Sequence, residues 1–112
     1  PILDVIDGGS TLKAAFPDGR TFEFSAEMLR VMSPSAEVQG HSPEQRVTVG
    51  RKKHVKIKDL KPVGNYATRI GFDDGHNTGL FTWGYLHLLG REKDQRWGTY
   101  LEELGAKGLT RE

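Results

Sequence analysis

No cysteine occurs in the chain, and that single absence excludes disulfides, thiolate zinc sites, cysteine-ligated iron-sulfur clusters and cysteine nucleophiles. Long apolar runs are missing as well, and no basic stretch followed by a hydrophobic segment opens the sequence. Membrane insertion and export are therefore not expected, and a soluble, cytoplasmic protein is. An excess of charge of either sign is also lacking, since 16 Lys and Arg face 15 Asp and Glu. A dedicated polyanion binder is not expected on that balance, and neither is a nucleic-acid partner. What is present suits one small core. With 36% of its 112 residues hydrophobic, the chain supports a single domain over 1–112 and not two.

Ile2 to Ile6 read as a short strand ending at Asp7-Gly8-Gly9-Ser10. Leu12–Phe16 and Thr21–Phe24 flank Pro17-Asp18-Gly19, a turn in which Pro presets the first corner and Gly takes the left-handed one. Ser25 then caps a helix carrying Met28, Leu29 and Met32, which Ser33-Pro34-Ser35 stops. The plan recurs: Tyr66–Phe72 as a strand, Asp73-Asp74-Gly75 as a turn, Gly79–Phe81 as the return strand, and Thr82 as the cap of a helix through Leu89. Phe16-Pro17-Asp18-Gly19 echoes Phe72-Asp73-Asp74-Gly75 with one residue inserted before the second cap. Either a duplicated unit or two independent hairpins leading into capped helices accounts for this, and the second is the plainer account. Gln39 to Glu44 reads as a polar surface loop, whereas Val47, Val49, Val55 and Ile57 alternate with polar residues as strands do. Trp97, Tyr100, Leu101 and Leu104 share one helical face.

These elements predict an α+β fold: a small, mostly antiparallel sheet with hairpins, each leading into a short capped helix, plus a C-terminal helix. That helix is expected at about 91–104, with a frayed tail over 105–112.

The basic run 51-RKKHVKIKDLK-61 contains six Lys or Arg. Its alternation, with Lys56 and Lys58 opposite Val55 and Ile57, fits the solvated face of a half-buried strand. Arg51, Lys52 and Lys53 remain the candidates for binding an anion. None of the histidines, His41, His54, His76 and His87, has metal-ligand spacing, and no His-Glu-x-x-His or Gly-x-Ser-x-Gly occurs. Glu27, Glu102 and Glu103 read as exposed helix carboxylates, and Asp73-Asp74 is explained by turn chemistry. His76, just past a left-handed glycine, reads as a hairpin residue with a local hydrogen bond. Trp83, Tyr85, Trp97 and Tyr100 read as packing residues. No catalytic residue can be named.

Taken together, 28-MLRVMSPSAEVQGH-41, 62-PVGNYATRIGFDDGHNTGLFTW-83 and 85-YLHLLG-90 resemble the gamma-butyrobetaine hydroxylase-like N-terminal domain family, DUF971, over most of residues 10 to 90. The resemblance is to its small stand-alone bacterial members; others are fused to P-loop iron-sulfur carrier proteins or to carnitine-pathway hydroxylases. In the hydroxylases the resemblance implies a structural zinc site, with cysteines near the stretch matching Ser33-Pro34-Ser35 and a histidine matching His76. Here Ser33, Ser35 and Val38 stand where those cysteines fall, so zinc is not expected.

Two functions follow as expectations. The first is a non-catalytic, cytoplasmic interaction module, an accessory of iron-sulfur cluster assembly or delivery whose partner is an iron-sulfur carrier or client, docked around Pro62, Asn65, Tyr66 and Trp83. The alternative is a weak site for iron, another divalent metal or a small ligand centred on His76, with Asp74 and His41.

Overall fold

A computed structural model describes residues 1–40 and 46–112. Two three-stranded antiparallel sheets form the frame. The first joins β1 (Ile2–Ile6), β2 (Thr11–Ala15) and β3 (Thr21–Ser25), and the second joins β4 (Ile57–Val63), β5 (Ala67–Phe72) and β6 (Leu80–Thr82). Each third strand runs straight into a helix, β3 into α1 (Ala26–Val31) and β6 into α3 (Trp83–Arg91). The short α2 (Ala36–Gln39) follows α1, and α4 (Lys93–Ala106) follows α3. The expected α+β fold is therefore observed, with the strands divided between two sheets.

The two strand-to-helix junctions form for the reason the sequence offers. Ser25 accepts from the Met28 N–H at 3.0 Å and Thr82 from the Tyr85 N–H at 3.1 Å, each satisfying a donor left over at a helix start. The preceding turns match bond for bond. Gly19 and Gly75, at φ 87° and 90°, each donate to the carbonyl of the phenylalanine that opens the turn, both at 3.1 Å. Those phenylalanines, Phe16 and Phe72, donate in turn to the carbonyls of Arg20 (2.8 Å) and His76 (2.9 Å). The larger core lies between the sheets: Leu12, Ala14 and Phe24 from the first meet Ile57, Ile70, Phe72 and Phe81 from the second, with Met28, Leu29, Leu86 and Leu89 from the helices.

Several expectations are corrected. Val47 and Val49 lie in irregular backbone rather than a strand, and Pro62 and Val63 lie inside β4 rather than leading to β5. Pro62 is tolerated because β4 is an edge strand, where a missing N–H need break no ladder bond. Of the α4 face, Tyr100 and Leu104 are buried against Val31 while Leu101 is exposed. The tail makes contacts of its own with the rest of the chain. Arg51 and Lys53 donate their backbone N–H groups to the carbonyls of Thr110 and Arg111 at 2.8 and 3.0 Å. The Arg111 guanidinium forks onto the Glu27 carboxylate at 2.8 and 2.9 Å and lies over the Trp97 ring. Glu27 is thus a buried helix residue, because its charge has a partner from the far end of the chain. Most of the loop expected over Gln39–Glu44 falls outside the described residues; Gln39 itself ends α2.

Candidate functional site

Pro34 disfavours helical backbone at Ser33 and so ends α1 there. The chain restarts at once, with Ser35 as the cap of α2, accepting from the Glu37 N–H at 3.2 Å. This break sets Ser33, Ser35 and Glu37 beside the turn between β5 and β6, which carries His76 and Thr78. His76 is buried, its side chain only 2% exposed. Its Nδ1 stands 3.1 Å from Glu37 Oε2 and its Nε2 3.0 Å from Ser33 Oγ.

A carboxylate only accepts, so Nδ1 carries the proton and donates to Glu37, and Nε2 accepts from the Ser33 hydroxyl. Thr78 donates to the other oxygen of Glu37 at 3.3 Å, which leaves the Ser35 hydroxyl to donate to Thr78 at 2.7 Å. The Ser35 N–H closes the ring onto Ser33 Oγ at 3.3 Å. Burial and the neighbouring Arg30 charge push the His76 pKa down, against the pull of Glu37 and Asp74, so the neutral imidazole that this tautomer needs is the favoured form.

Hydroxyl, imidazole and carboxylate stand here in the order of an acyl-transfer triad. Access is what a nucleophile would need, and Ser33 has none: it is wholly buried, packed so closely under Gly79 that a Cβ there would collide with its Oγ. The relay holds α1 and α2 to the second hairpin. The residue types also do not fit zinc. Neutral hydroxyls stand at 33 and 35 and a buried aliphatic side chain at 38, none of them a thiolate, imidazole or carboxylate donor of the kind zinc takes.

Asp74 is drawn the other way. Its Oδ2 accepts from Arg30 Nε at 2.8 Å and Lys52 Nζ at 2.6 Å, and its Oδ1 from the His76 N–H at 3.1 Å. Burial by itself would raise this carboxyl, but the bonds from Lys52, His76 and Arg30 and the Arg30 charge hold it at about 2. A carboxylate already shared by two cations is a poor metal ligand, although the structure does bring it next to His76. His41 lies outside the described residues. No group of three or more His, Asp or Glu that could hold a metal ion occurs among the described residues.

The other candidates fall in two places. Asn65, Tyr66 and Trp83 come together at the β4–β5 turn: the Trp83 indole donates to the Asn65 carbonyl at 2.7 Å and the Trp83 N–H to the Tyr66 carbonyl at 3.1 Å. Tyr66 is 52% exposed, and Pro62 is exposed on the same hairpin. Of the anion candidates, Lys52 is bound to Asp74 and Lys53 to Glu112 at 2.7 Å, while Arg51 holds the tail through its backbone. Glu37 and Thr78 complete the hydrogen-bonded ring around His76, and sequence reasoning missed both. Glu37's place two residues after a capping serine was the available signal; Thr78 offered none.

The family described as gamma-butyrobetaine hydroxylase-like, N-terminal, matches residues 4–87. Two solution NMR structures are each 42% identical to this chain with a TM-score of 0.84; they cover 100% and 99% of it, and 88% and 83% of their own chains. A crystal structure of a protein of unknown function from Acidithiobacillus ferrooxidans, of the DUF971 family, is 33% identical, with a TM-score of 0.66, over 80% of this chain and 90% of its own. No curated protein matches.

Proposed function

Because the chain belongs to the gamma-butyrobetaine hydroxylase-like N-terminal family, we propose that it is a non-catalytic, cytoplasmic protein-interaction module that serves iron-sulfur cluster assembly or delivery by docking onto a carrier or client. The observation that carries the reading is the corner of Asn65, Tyr66 and Trp83. Its backbone and indole bonds make it rigid, and Tyr66 projects from it with half its surface in solvent. Large aromatics held rigid and exposed are what protein interfaces use as anchors, since little side-chain entropy is lost on binding. The polar ring around His76 supports the reading by engaging both imidazole nitrogens and the Ser33 hydroxyl internally. No helix among the described residues is long and apolar enough to cross a membrane.

The test is a photo-crosslinking residue placed at Tyr66 in the protein's own cells. A single adduct with a protein that carries or receives a cluster is the expected result, lost when Trp83 is changed to Ala. The competing function, a divalent metal site at His76, predicts instead that untagged protein retains stoichiometric iron and that His76→Ala releases it.

A further inference from the structure

Strand β4 changes phase in its second residue. Ile57 pairs with Phe72 and Asp59 with Gly71, so Lys58 is the extra residue of a bulge. Without it, Ile57, Asp59 and Lys61 would point to one face, since side chains alternate. With it, Ile57 stays buried and Leu60 turns inward, while Lys58, Asp59 and Lys61 are all exposed. Bulges re-aim side chains in this way. Opposite Lys61, in register, stands Arg69, also exposed. Two like charges directly across a strand pair repel.

No ion pair among the described residues relieves that repulsion: none involves Lys58, Lys61 or Arg69. Among the described residues the one carboxylate lining this face is Asp59, which reaches across onto β5: a Cβ on Gly71 would collide with its Oδ1. Lys58, Asp59, Lys61, Arg69, Asn77 and Thr78 line a concavity of about 350 Å³. The rest of the basic run behaves differently, with Lys52 and Lys53 both committed to carboxylates. The same hairpin carries the aromatic corner at its turn, since Lys61–Arg69 is followed by Pro62–Thr68 and Val63–Ala67 and then the turn.

We infer that this concave face of the second sheet binds an acidic segment of a partner protein through Lys58, Lys61 and Arg69. Charge complementarity names the occupant: three cations with no ion pair among the described residues share the face with one carboxylate, which leaves it net positive, on a strand pair that an anion would relieve. Recognition runs through side chains, because Pro62 denies a full ladder of backbone bonds to a strand added at the β4 edge. The inference rests on reading the chain as an interaction module and supplies the chemistry of its partner.

Hexaglutamate titrated into isotopically labelled protein at low salt tests it. Saturable amide shifts are expected at Lys58 to Lys61, Arg69 to Gly71, and Asn77 and Thr78. Lys61→Glu combined with Arg69→Glu should weaken binding about tenfold or more, and Arg51→Glu should leave it unchanged. Lys61→Gln guards against misfolding: it removes a like-charge pair, so it should weaken the peptide while leaving the melting temperature unchanged or higher. Shifts centred on Arg51 to Lys53, no saturable shift, or inorganic phosphate or a single-stranded oligonucleotide displacing the peptide from this face would each overturn the inference. The two proposals fail separately. Absence of peptide binding with the Tyr66 crosslink intact removes the acidic segment and keeps the module, whereas peptide binding without any cellular crosslink does the reverse.

Discussion

Ser33 and His76 show how a buried polar pair sets its own cost of removal. Ser33→Ala deletes a single oxygen but leaves Nε2 of a buried imidazole without a donor, so a loss of about 1–3 kcal/mol is expected in chemical denaturation. His76→Ala removes the ring as well, and about 2–4 kcal/mol is expected, beyond what an exposed hairpin residue would give. Protonation challenges the same pair. The folded pKa of His76 lies below its ordinary 6.5, so the unfolded chain takes up the proton first and stability falls as pH drops below about 6.5. NMR of the imidazole should show His76 neutral at the pH where an unperturbed histidine is half-charged; a titration at or above 6.5 would contradict the buried, proton-accepting Nε2. Asp74 has the same sign in a lower window. With an unfolded value of 3.8 and a folded value of about 2, its contribution is complete above about pH 4 and is lost as pH falls toward 2. The shift corresponds to about 2 kcal/mol, and solvent screening of the partly exposed cluster reduces it to about 1. Asp74→Asn should therefore cost about that much at neutral pH and nothing near pH 2, a difference that acid-unfolding curves of the two proteins would show.

At the scale of the element, the last residues act as a clasp. Glu27 is buried on α1 and its charge is met by Arg111 alone among the described ion pairs. Arg111→Ala should cost about 2 kcal/mol or more, since it strands a buried carboxylate. It should also change the Trp97 fluorescence, because the guanidinium lies over that ring. Glu27→Gln with Arg111→Ala should recover part of the loss; if the double variant is no better than Arg111→Ala, the clasp is not what the tail contributes. This contact was illegible in the sequence because a charged residue in a polar tail carries no signal of a partner 84 positions away. The β4 bulge was illegible for a related reason: alternation around Val55 and Ile57 continues plausibly through Lys58, and only pairing with β5 reveals the extra residue. Turns and caps were legible, since Gly19, Gly75, Ser25 and Thr82 act within three residues of themselves. At the candidate site the same division holds. His76 could be singled out, but its burial depends on Ser33 and Glu37, about forty residues earlier.

Across the whole molecule the two halves are tied by reciprocal contacts. Arg30 and His87 each stand five residues after their helix's capping residue. Arg30 of the first unit binds the turn residue Asp74 of the second, and His87 of the second binds the turn residue Asp18 of the first, at 2.8 and 2.7 Å. Packing follows the same exchange. Eight residues after the caps stand Ser33 and Gly90; three residues before them stand Phe22 and Gly79. Ser33 lies against Gly79 and Gly90 against the Phe22 ring, each so closely that a Cβ on the glycine would collide. One side of each contact must be small, and the two units solve this in opposite senses. The echo in the sequence is therefore a repeat of three strands and a helix whose helices each dock on the other copy's hairpin. Neither unit can keep its helix contacts if the other unfolds, and both contribute to one core. A single cooperative transition follows, with tryptophan fluorescence and far-ultraviolet circular dichroism superposing. Native-state hydrogen exchange gives the sharper measurement: amides of Leu12 and Phe24 in one sheet and Ile70 and Phe81 in the other should open with the same free energy. If the first sheet lost protection at lower denaturant than the second, the reciprocal contacts would be too weak to couple them, and the fold would be two units in contact instead of one.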